Sequence, residues 1–250
     1  YSIPALMGGI YRSHPNNIIY LTEKFRLATK DIKYIISMID PDKRMRYDYD
    51  NIQRLYQEYN HVKVDDKENL ALLERILKGK KILLLMPGQS ISQYKDEILK
   101  KIEAEHLFVI TVNFRDETFD KYSELAFWGS QKRYEHYTDL RKEVTSLITS
   151  NIESDMEDDI IVNYDSFVDR TQEYSDNASL MLMRILQRVG VVSYYVAGFD
   201  GFTVNGSYYN KTDFSEERFR SQYDAINKEI AHQLSKFAES LDRPEDIEFI

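Results

Sequence analysis

The segment 82–92, with the sequence ILLLMPGQSIS, constrains the fold of this chain more than any other stretch. An apolar run from Ile82 to Met86 ends at Pro87-Gly88, small polar residues follow, and an amphipathic helical pattern then begins. That order predicts a buried parallel strand, a tight turn and a helix N-terminus, which is where α/β proteins hold anions. The turn matches neither GxGxxG nor a Walker loop, so it predicts a ligand site without naming the ligand.

Composition excludes several classes of function. The chain has 250 residues, 42% hydrophobic and 30% charged, which is enough for a sizeable core. A net charge of −9 without a long Lys/Arg run argues against a nucleic-acid partner. Zero cysteines exclude disulfides, thiolate nucleophiles and thiolate metal sites in this sequence. The longest apolar runs, about five or six residues, are far below the ~20 that span a bilayer, and no signal peptide is visible. We therefore expect a cytoplasmic protein without a membrane partner.

The N-terminal part of the sequence predicts helices. The chain starts at Tyr1 rather than at a methionine, and we expect it to be an excised part of a longer protein. Residues 1–78 show apolar residues at helical spacing, which predicts a small all-helical segment. The last helix predicted in this N-terminal segment spans 67–78 with leucines on its inner face, and Gly79 is suited to end it.

From residue 79 to residue 250, short apolar runs alternate with helical patterns. This alternation is typical of a Rossmann-like α/β domain with a mostly parallel sheet, here of five or six strands, flanked by helices. Ser90 and Gln93 have the spacing of a capping box for the helix after the first strand. The predicted strands are Ile82–Met86, Leu107–Val112, Leu125–Trp128, Leu147–Ser150, Asp159–Val162 and Val192–Ala197. The predicted helices are Ser92–Ala104, Lys132–Tyr137, Ala178–Val189 and Ser215–Leu241.

Residues 3–32, IPALMGGIYRSHPNNIIYLTEKFRLATKDI, carry a small-residue turn with a tyrosine (Gly9-Ile10-Tyr11), then Ser13, an apolar helical pattern and a Leu-x-Thr-x-Asp-Ile helix start. Over residues 1–60 the chain resembles the region after the barrel in aldolases of the 4-hydroxy-2-oxovalerate aldolase type, which belong with HMG-CoA lyase to the DRE-TIM metallolyases. In those aldolases the segment seals the barrel and its tyrosine is an acid/base group. The resemblance implies a catalytic role for Tyr11, and a buried tyrosine between helices is the alternative.

The rest of that family's catalytic centre is not in this sequence. The metallolyases hold a divalent metal with a strand-end Asp beside an Arg and with an HxH pair, whereas the five histidines here include no HxH pair. The resemblance therefore implies a barrel N-terminal to this chain in the same polypeptide. The chain alone is then not a lyase, and carbon–carbon lyase or aldolase activity requires that barrel.

A second resemblance covers residues 81–210. A strand is followed by PGQS and a helix, the second strand ends in an asparagine, and the third is followed by Gly-Ser. A helix then starts at Asn177-Ala178-Ser179, and a late strand ends in AGFDGF. This order resembles the nucleotide-binding half of bacterial sialyltransferases and of the related pterin-pyrophosphokinase-like proteins. The corresponding residues are Gly88 and Ser90 at the phosphate turn, Asn113 against the ligand, and Gly198 with Asp200 in the late G-x-D turn.

The candidate binding site collects small and polar residues that follow the predicted strands. Because the carboxyl ends of parallel strands share one edge of a sheet, we expect these residues to line one cleft. Their amides, hydroxyls and carboxylate suit a ribose, a base edge or a phosphate, and a nucleotide with Mg²⁺ is the ligand and cofactor that this predicts. The alternative is that turns require such residues. The predicted ligand-binding residues are Gly88, Gln89, Ser90, Asn113, Gly129, Ser130, Lys132, Arg133, Ser150, Asn151 and Gly198.

Asp200 is the predicted catalytic residue of this cleft. It follows a buried strand, where it could accept from a ribose hydroxyl, ligate Mg²⁺ or act as a base, and capping the next turn is the alternative. Lys132 and Arg133 could meet a diphosphate, while Trp128 or Tyr134 could stack on a base. A core tryptophan beside a solvated basic turn is the alternative for this second group.

The sequence thus predicts the C-terminal accessory region of a bacterial HMG-CoA-lyase- or aldolase-like protein, whose α/β domain binds a nucleotide or another phosphorylated small molecule. Its helical segment would pack on the barrel and support a homodimer. A second interpretation is a nucleotide-sugar transferase of the CMP-sugar type, although no histidine lies between Tyr137 and Ala231 to serve as its base. A third is a non-catalytic interaction module that docks through its apolar N-terminal face.

Overall fold

The structure is a computed structural model, which describes residues 64–137, 143–154, 156–169, 177–202 and 223–250. Within these ranges, seven strands form one sheet in which every neighbouring pair is parallel. The strands are β1 (Ile82–Leu85), β2 (Phe108–Val112), β3 (Ser123–Trp128), β4 (Ser146–Thr149), β5 (Ile160–Val162), β6 (Tyr194–Ala197) and β7 (Ile247–Phe249). Their order across the sheet is β5-β4-β3-β2-β1-β6-β7.

In the described ranges, one α-helix precedes β1 and six lie between strands along the chain. They are α1 (Lys67–Leu77), α2 (Ser90–Gln93), α3 (Lys95–Glu105), α4 (Glu117–Asp120), α5 (Gln131–His136), α6 (Ala178–Arg188) and α7 (Tyr223–Glu239). In the described part of the chain, no helix combines the length and the apolar character that crossing a membrane requires.

Both faces of the sheet are buried. Successive strand residues point to opposite faces, so Leu84 and Ile110 lie in one apolar cluster with residues of α1, α6 and α7. Leu83 and Val109 lie in a second cluster with residues of α3, and Trp128 lies in a third with residues of α5. Strands covered on both faces need apolar residues at nearly every position, which is why β1 is an unbroken apolar run.

The order of the strands reverses next to β1. From β1 the chain adds β2 to β5 on one side, and the connection that contains α6 then returns it to the other side, where β6 and β7 follow. In open α/β sheets such a reversal leaves a crevice outside the carboxyl ends of the two central strands, and ligands bind there. Here the two central strands at the reversal are β1 and β6.

The α/β fold that the sequence predicts is confirmed, with a strand at each of the six predicted positions. The sheet has a seventh strand, β7, that the sequence analysis missed. β7 has only three residues, and two of them are exposed, so it lacks the apolar run that reveals the central strands. The helices predicted before residue 64, and residues 215–222 of the last predicted helix, lie outside the described residues.

The capping box predicted after β1 is wrong. Gln89 is the N-cap of α2 and makes no side-chain capping bond, while Ser90 is already helical. The single helix predicted over 92–104 is also divided, because Tyr94 has non-helical torsion angles between α2 and α3. By contrast, α1 ends as predicted, with Gly79 at a positive φ of 72°.

Candidate functional site

The predicted site residues follow the carboxyl ends of five strands. Gly88, Gln89 and Ser90 come after β1, Asn113 after β2, Gly129 and Ser130 after β3, Ser150 and Asn151 after β4, and Gly198 and Asp200 after β6. Since all these strands are parallel, their carboxyl ends lie at one edge of the sheet, as the sequence predicts. Tyr11, the other predicted catalytic residue, lies outside the described residues.

The loops after β1 and β6 are in direct contact. The amide of Gly88 donates to the carbonyl oxygen of Gly198 at 2.9 Å, one step beyond the bond from Met86 to Ala197 at 2.9 Å. A Cβ on Gly88 would lie 2.3 Å from that oxygen and 2.7 Å from Cγ of Asp200. The close approach of the two backbones therefore explains both glycines without reference to a ligand.

Asp200 is held by Ser90 across this contact. Its Oδ2 accepts from the backbone amide of Ser90 at 2.6 Å, and its Oδ1 accepts from the Ser90 hydroxyl at 2.5 Å. The carboxylate thus occupies the position at the start of α2 where the sequence predicts an anionic ligand. With that amide engaged and a negative charge beside it, the turn after β1 does not offer a phosphate its expected partner.

Asn227 fixes the other end of the β6 loop. Its Oδ1 accepts from the amide of Phe202 at 2.8 Å, and its Nδ2 donates to the carbonyl oxygen of Phe202 at 2.8 Å. Gly201, with a φ of 74°, brings the loop close enough that a Cβ would lie 2.9 Å from Oδ1 of Asn227. Asp200 therefore lies in a loop that is tied both to α2 and to α7.

The loops after β2 and β3 are joined by Asn113. This residue has a φ of 56°, a conformation that asparagine tolerates better than most residues. Its Oδ1 accepts from the amide of Gly129 at 3.0 Å. Its Nδ2 has no hydrogen-bond partner in the described ranges. A Cβ on Gly129 would lie 3.1 Å from that of Ala178, so the first residue of α6 lies directly over this glycine.

Arg115, two residues after Asn113, is not free to meet a phosphate. Its Nε donates to Oδ2 of Asp120 at 2.6 Å. Burial raises the pKa of the Asp120 carboxyl above its ordinary value, and the neighbouring guanidinium partly opposes that shift. The pair links the loop after β2 to Asp120 in α4.

The turn after β4 contains polar atoms without partners. The amide of Ile152 donates to the carbonyl oxygen of Thr149 at 2.9 Å, and Oγ of Ser150 accepts from the amide of Tyr164 at 3.1 Å. Oγ1 of Thr149 and both side-chain amide atoms of Asn151 are buried but have no hydrogen-bond partner among the described residues. Native proteins satisfy nearly all such groups, so these atoms require an explanation.

Of the two interpretations of this segment, the structure confirms the core tryptophan and excludes stacking of Trp128 or Tyr134 on a base. Trp128 is fully buried and donates through Nε1 to Oγ of Ser146 at 3.1 Å, while Tyr134 is 1% exposed and donates to Asp159 at 2.5 Å. Neither ring offers a free face to a base. Arg133 lies half-buried in α5.

Two residues near these aromatic side chains, Ser130 and Gln131, have structural roles. Ser130 is the N-cap of α5 without a side-chain capping bond. Lys132 also lies in α5, and its side chain is outside the described part. Gln131, which is 5% exposed, accepts from the amide of Glu153 at 2.7 Å and so ties α5 to the turn after β4.

Three residues at this edge were missed in the sequence. Thr149 ends β4, Gln131 begins the short helix α5 and Asn227 lies inside the long helix α7, and none belongs to a recognisable motif. Their roles depend on partners far along the chain, so no local signal could have revealed them. Within the described ranges, no three His, Asp or Glu side chains cluster in a way that could hold a metal ion. Comparison with protein-family models, curated proteins and solved structures found no match for this chain.

Proposed function

We propose that the α/β domain binds a nucleotide at the carboxyl edge of its sheet, in the crevice outside the ends of β1 and β6. The observation that carries the proposal is the pair of hydrogen bonds from Ser90 to Asp200. These bonds hold an exposed carboxylate at the point where the strand order reverses. Open α/β sheets bind their ligands at such points.

The chemistry of Asp200 suits the ribose of a nucleotide. A carboxylate has about four lone-pair directions, two on each oxygen. Ser90 uses one direction on each oxygen of Asp200, so one on each remains for a donor. Two neighbouring ribose hydroxyls are donors with a matching spacing. Because Ser90 already holds the carboxylate, binding costs little further ordering.

Asn113 supports recognition of the base or sugar by the same crevice. Its Oδ1 is used by Gly129, which fixes the orientation of the amide group. Its Nδ2 is then directed by that bond and has no partner in the described ranges. An amide donor held in this way selects for an acceptor on the ligand.

The wider role remains what the sequence predicts, an accessory region of a lyase- or aldolase-like protein, and it rests on the resemblance of residues 1–60. A nucleotide-sugar transferase is the second candidate. The contact between Ser90 and Asp200 favours it, since both residues belong to the resemblance with bacterial sialyltransferases. A transferase would hydrolyse a CMP-sugar slowly without acceptor, and the Asp200→Asn variant would lose that activity.

Isothermal titration calorimetry of the full chain tests the binding proposal. Cytidine, uridine, adenosine and guanosine, with their 5′-mono- and diphosphates, would be titrated with and without Mg²⁺. We expect one nucleoside to bind and the Asp200→Asn variant to bind it about tenfold more weakly, because hydrogen bonds to a charged acceptor are lost.

Asp96→Asn is the matched control, because it makes the same change in charge. Asp96 is exposed in the first turn of α3, and the structure shows no hydrogen bond or ion pair for it within the described ranges. Equal affinity of the wild type and both variants would contradict the role of Asp200. Absence of binding for every nucleoside and nucleotide would contradict the proposed function itself.

A further inference from the structure

We infer that the phosphate group of the ligand binds at the N-terminus of α6, beside Gly129 and Thr149, and not at the turn after β1. The inference rests on the proposed nucleotide-binding function and adds to it the position of the anion and the length of the ligand. The contact between Ser90 and Asp200 is the starting point, because it occupies the turn after β1 where the sequence predicts the phosphate. The Ser90 amide is engaged by Asp200, and α2 has only four residues.

The N-terminus of α6 offers unused donors. This helix has 11 residues, and its N-cap Asn177 accepts from the amide of Leu180 at 3.1 Å. The first amides of a helix have no partner within the helix, so those of Ala178 and Ser179 remain available in the described structure. Ser179 is half-buried and carries a hydroxyl as a further donor. The partial positive charge at a helix N-terminus adds to the attraction for an anion.

Thr149 is the second and independent observation. Its side chain is 0% exposed, and no hydrogen-bond partner for Oγ1 is found among the described residues. The side chain of Thr149 points to the same face of the sheet as that of Leu147, two residues earlier in the strand. Leu147 lies in one apolar cluster with Leu180 of α6. The hydroxyl is therefore on the α6 side of the sheet and at the carboxyl end of its strand.

The strand register brings this hydroxyl next to the helix. Phe127 pairs with Leu147 and Trp128 with Ile148, so the next pair in register is Gly129 with Thr149. Gly129 has no side chain, and Ala178 covers it. Thr149 and the glycine that Ala178 covers are thus neighbours on adjacent strands, about one strand spacing or ~4.8 Å apart.

The group that satisfies these donors is an oxyanion. Two backbone amides and two hydroxyls can each donate to a phosphate oxygen, which accepts several hydrogen bonds at once. Both side-chain amide atoms of Asn151, two residues after Thr149, are also buried without a partner among the described residues. No carboxylate of the described chain hydrogen-bonds to Ala178, Ser179 or Thr149, in contrast to Ser90.

The separation of the two subsites indicates the length of the ligand. Asp200 follows β6 and contacts the loop after β1, whereas Gly129 follows β3, two strands away from β1. Two strand spacings correspond to about 10 Å. A ribose with a single phosphate is shorter than this distance, whereas a nucleoside diphosphate reaches it. The geometry therefore selects a nucleoside diphosphate or a ligand that contains one, such as a nucleoside-diphosphate sugar.

The test compares Thr149→Val with the wild type by calorimetric titration of the full chain. The probes are the nucleoside that binds best, its mono- and diphosphate, and inorganic phosphate. In the wild type we expect the largest gain in affinity between the mono- and diphosphate. In Thr149→Val we expect unchanged affinity for the nucleoside and about tenfold weaker binding of the diphosphate. The melting temperature without ligand should not fall, because the variant removes only a hydroxyl without a partner.

Thr111→Val is the matched control. Thr111 is also a buried strand threonine, but its Oγ1 lies 3.2 Å from Oγ of Ser123, with which it forms a hydrogen bond. This variant should melt at a lower temperature and keep the gain in affinity that the second phosphate provides.

Three results would overturn the inference. Equal affinity of the wild type for the nucleoside and its diphosphate would show that no phosphate subsite exists, although nucleoside binding would survive. An unchanged diphosphate affinity in Thr149→Val, with a lower melting temperature, would assign the hydroxyl to an ordered water. Absence of binding for nucleoside and diphosphate alike would reject this inference together with the proposed function.

Discussion

Gly88 and Gly198 join the two loops at the centre of the carboxyl edge, because the amide of Gly88 donates to the carbonyl oxygen of Gly198 at 2.9 Å. Neither position has room for a side chain. A Cβ on Gly88 would lie 2.3 Å from the Gly198 oxygen, and one on Gly198 would lie 2.0 Å from the carbonyl oxygen of Met86. This contact brings Asp200 to Ser90, so the geometry of the candidate site depends on it.

Replacing Gly198 by alanine should strongly destabilise the fold. The new Cβ would overlap the Met86 oxygen and lie 2.8 Å from Cδ1 of Ile91, and Gly198 also has a φ of 77° that disfavours alanine. We expect a loss of about 3 kcal/mol or more in the free energy of unfolding. Urea denaturation followed by circular dichroism measures this change.

Gly190→Ala separates the cost of the steric overlap from the cost of the positive φ. Gly190 has a nearly identical φ of 78°, but nothing lies within 4 Å of its added Cβ. Only the backbone strain then applies, and the expected loss is about 1 kcal/mol. Equal losses for the two alanine variants would mean that the contact between the loops contributes nothing.

Removing the Asn227 side chain should loosen the loop that carries Asp200. Asn227→Ala deletes two hydrogen bonds to the backbone of Phe202, each 2.8 Å long. We expect a loss of about 1–2 kcal/mol in stability and weaker binding of the nucleoside. Lys228→Ala, an exposed change in the same helix, should alter neither quantity. Faster hydrogen exchange at Phe202 in the Asn227 variant only would locate the effect in this loop.

Tyr194→Phe should stabilise the protein. The hydroxyl of Tyr194 is buried and has no hydrogen-bond partner within the described ranges, so removing it abolishes a desolvation cost of about 1 kcal/mol. Tyr195→Phe is the opposite case, since that hydroxyl donates to Glu105 at 3.0 Å and its loss should lower stability. Thermal unfolding of both variants checks the two signs, and a lower melting temperature for Tyr194→Phe would contradict the expectation.

Tyr194 should also make the fold sensitive to alkali. Burial raises the pKa of its phenol well above the ordinary value, because the charged form is disfavoured in an apolar surrounding. The folded state therefore keeps the proton to higher pH than the unfolded state. The stability that this provides is complete below about pH 10 and falls above it by about 1.4 kcal/mol per pH unit.

Urea denaturation between pH 9 and pH 11 measures this dependence. The gap in stability between Tyr194→Phe and the wild type should widen above pH 10, because the variant has no phenol at this position to ionise. A constant gap across the range would show that the phenol titrates in the folded state as it does in the unfolded state.

Local sequence patterns were sufficient to predict the positions of the central strands. β1 is buried on both faces, so all of its residues had to be apolar, and the run Ile82–Leu85 is visible in the sequence. β7 could not be found in this way, because Glu248 and Phe249 at the edge of the sheet are exposed. Pairing with β6, and not a hydrophobic pattern, makes this segment a strand.

The candidate site was predictable in its position but not in its chemistry. The amino-acid sequence determined that small and polar residues follow each strand, and parallel strands bring such residues to one edge because their carboxyl ends coincide. The hydrogen bond from Ser90 to Asp200, however, joins residues 110 positions apart. The burial of Thr149 without a partner for its hydroxyl likewise arises only when the sheet and helices pack. Only the packed chain decides such contacts, since the free energy of a polar group depends on which distant groups surround it after folding.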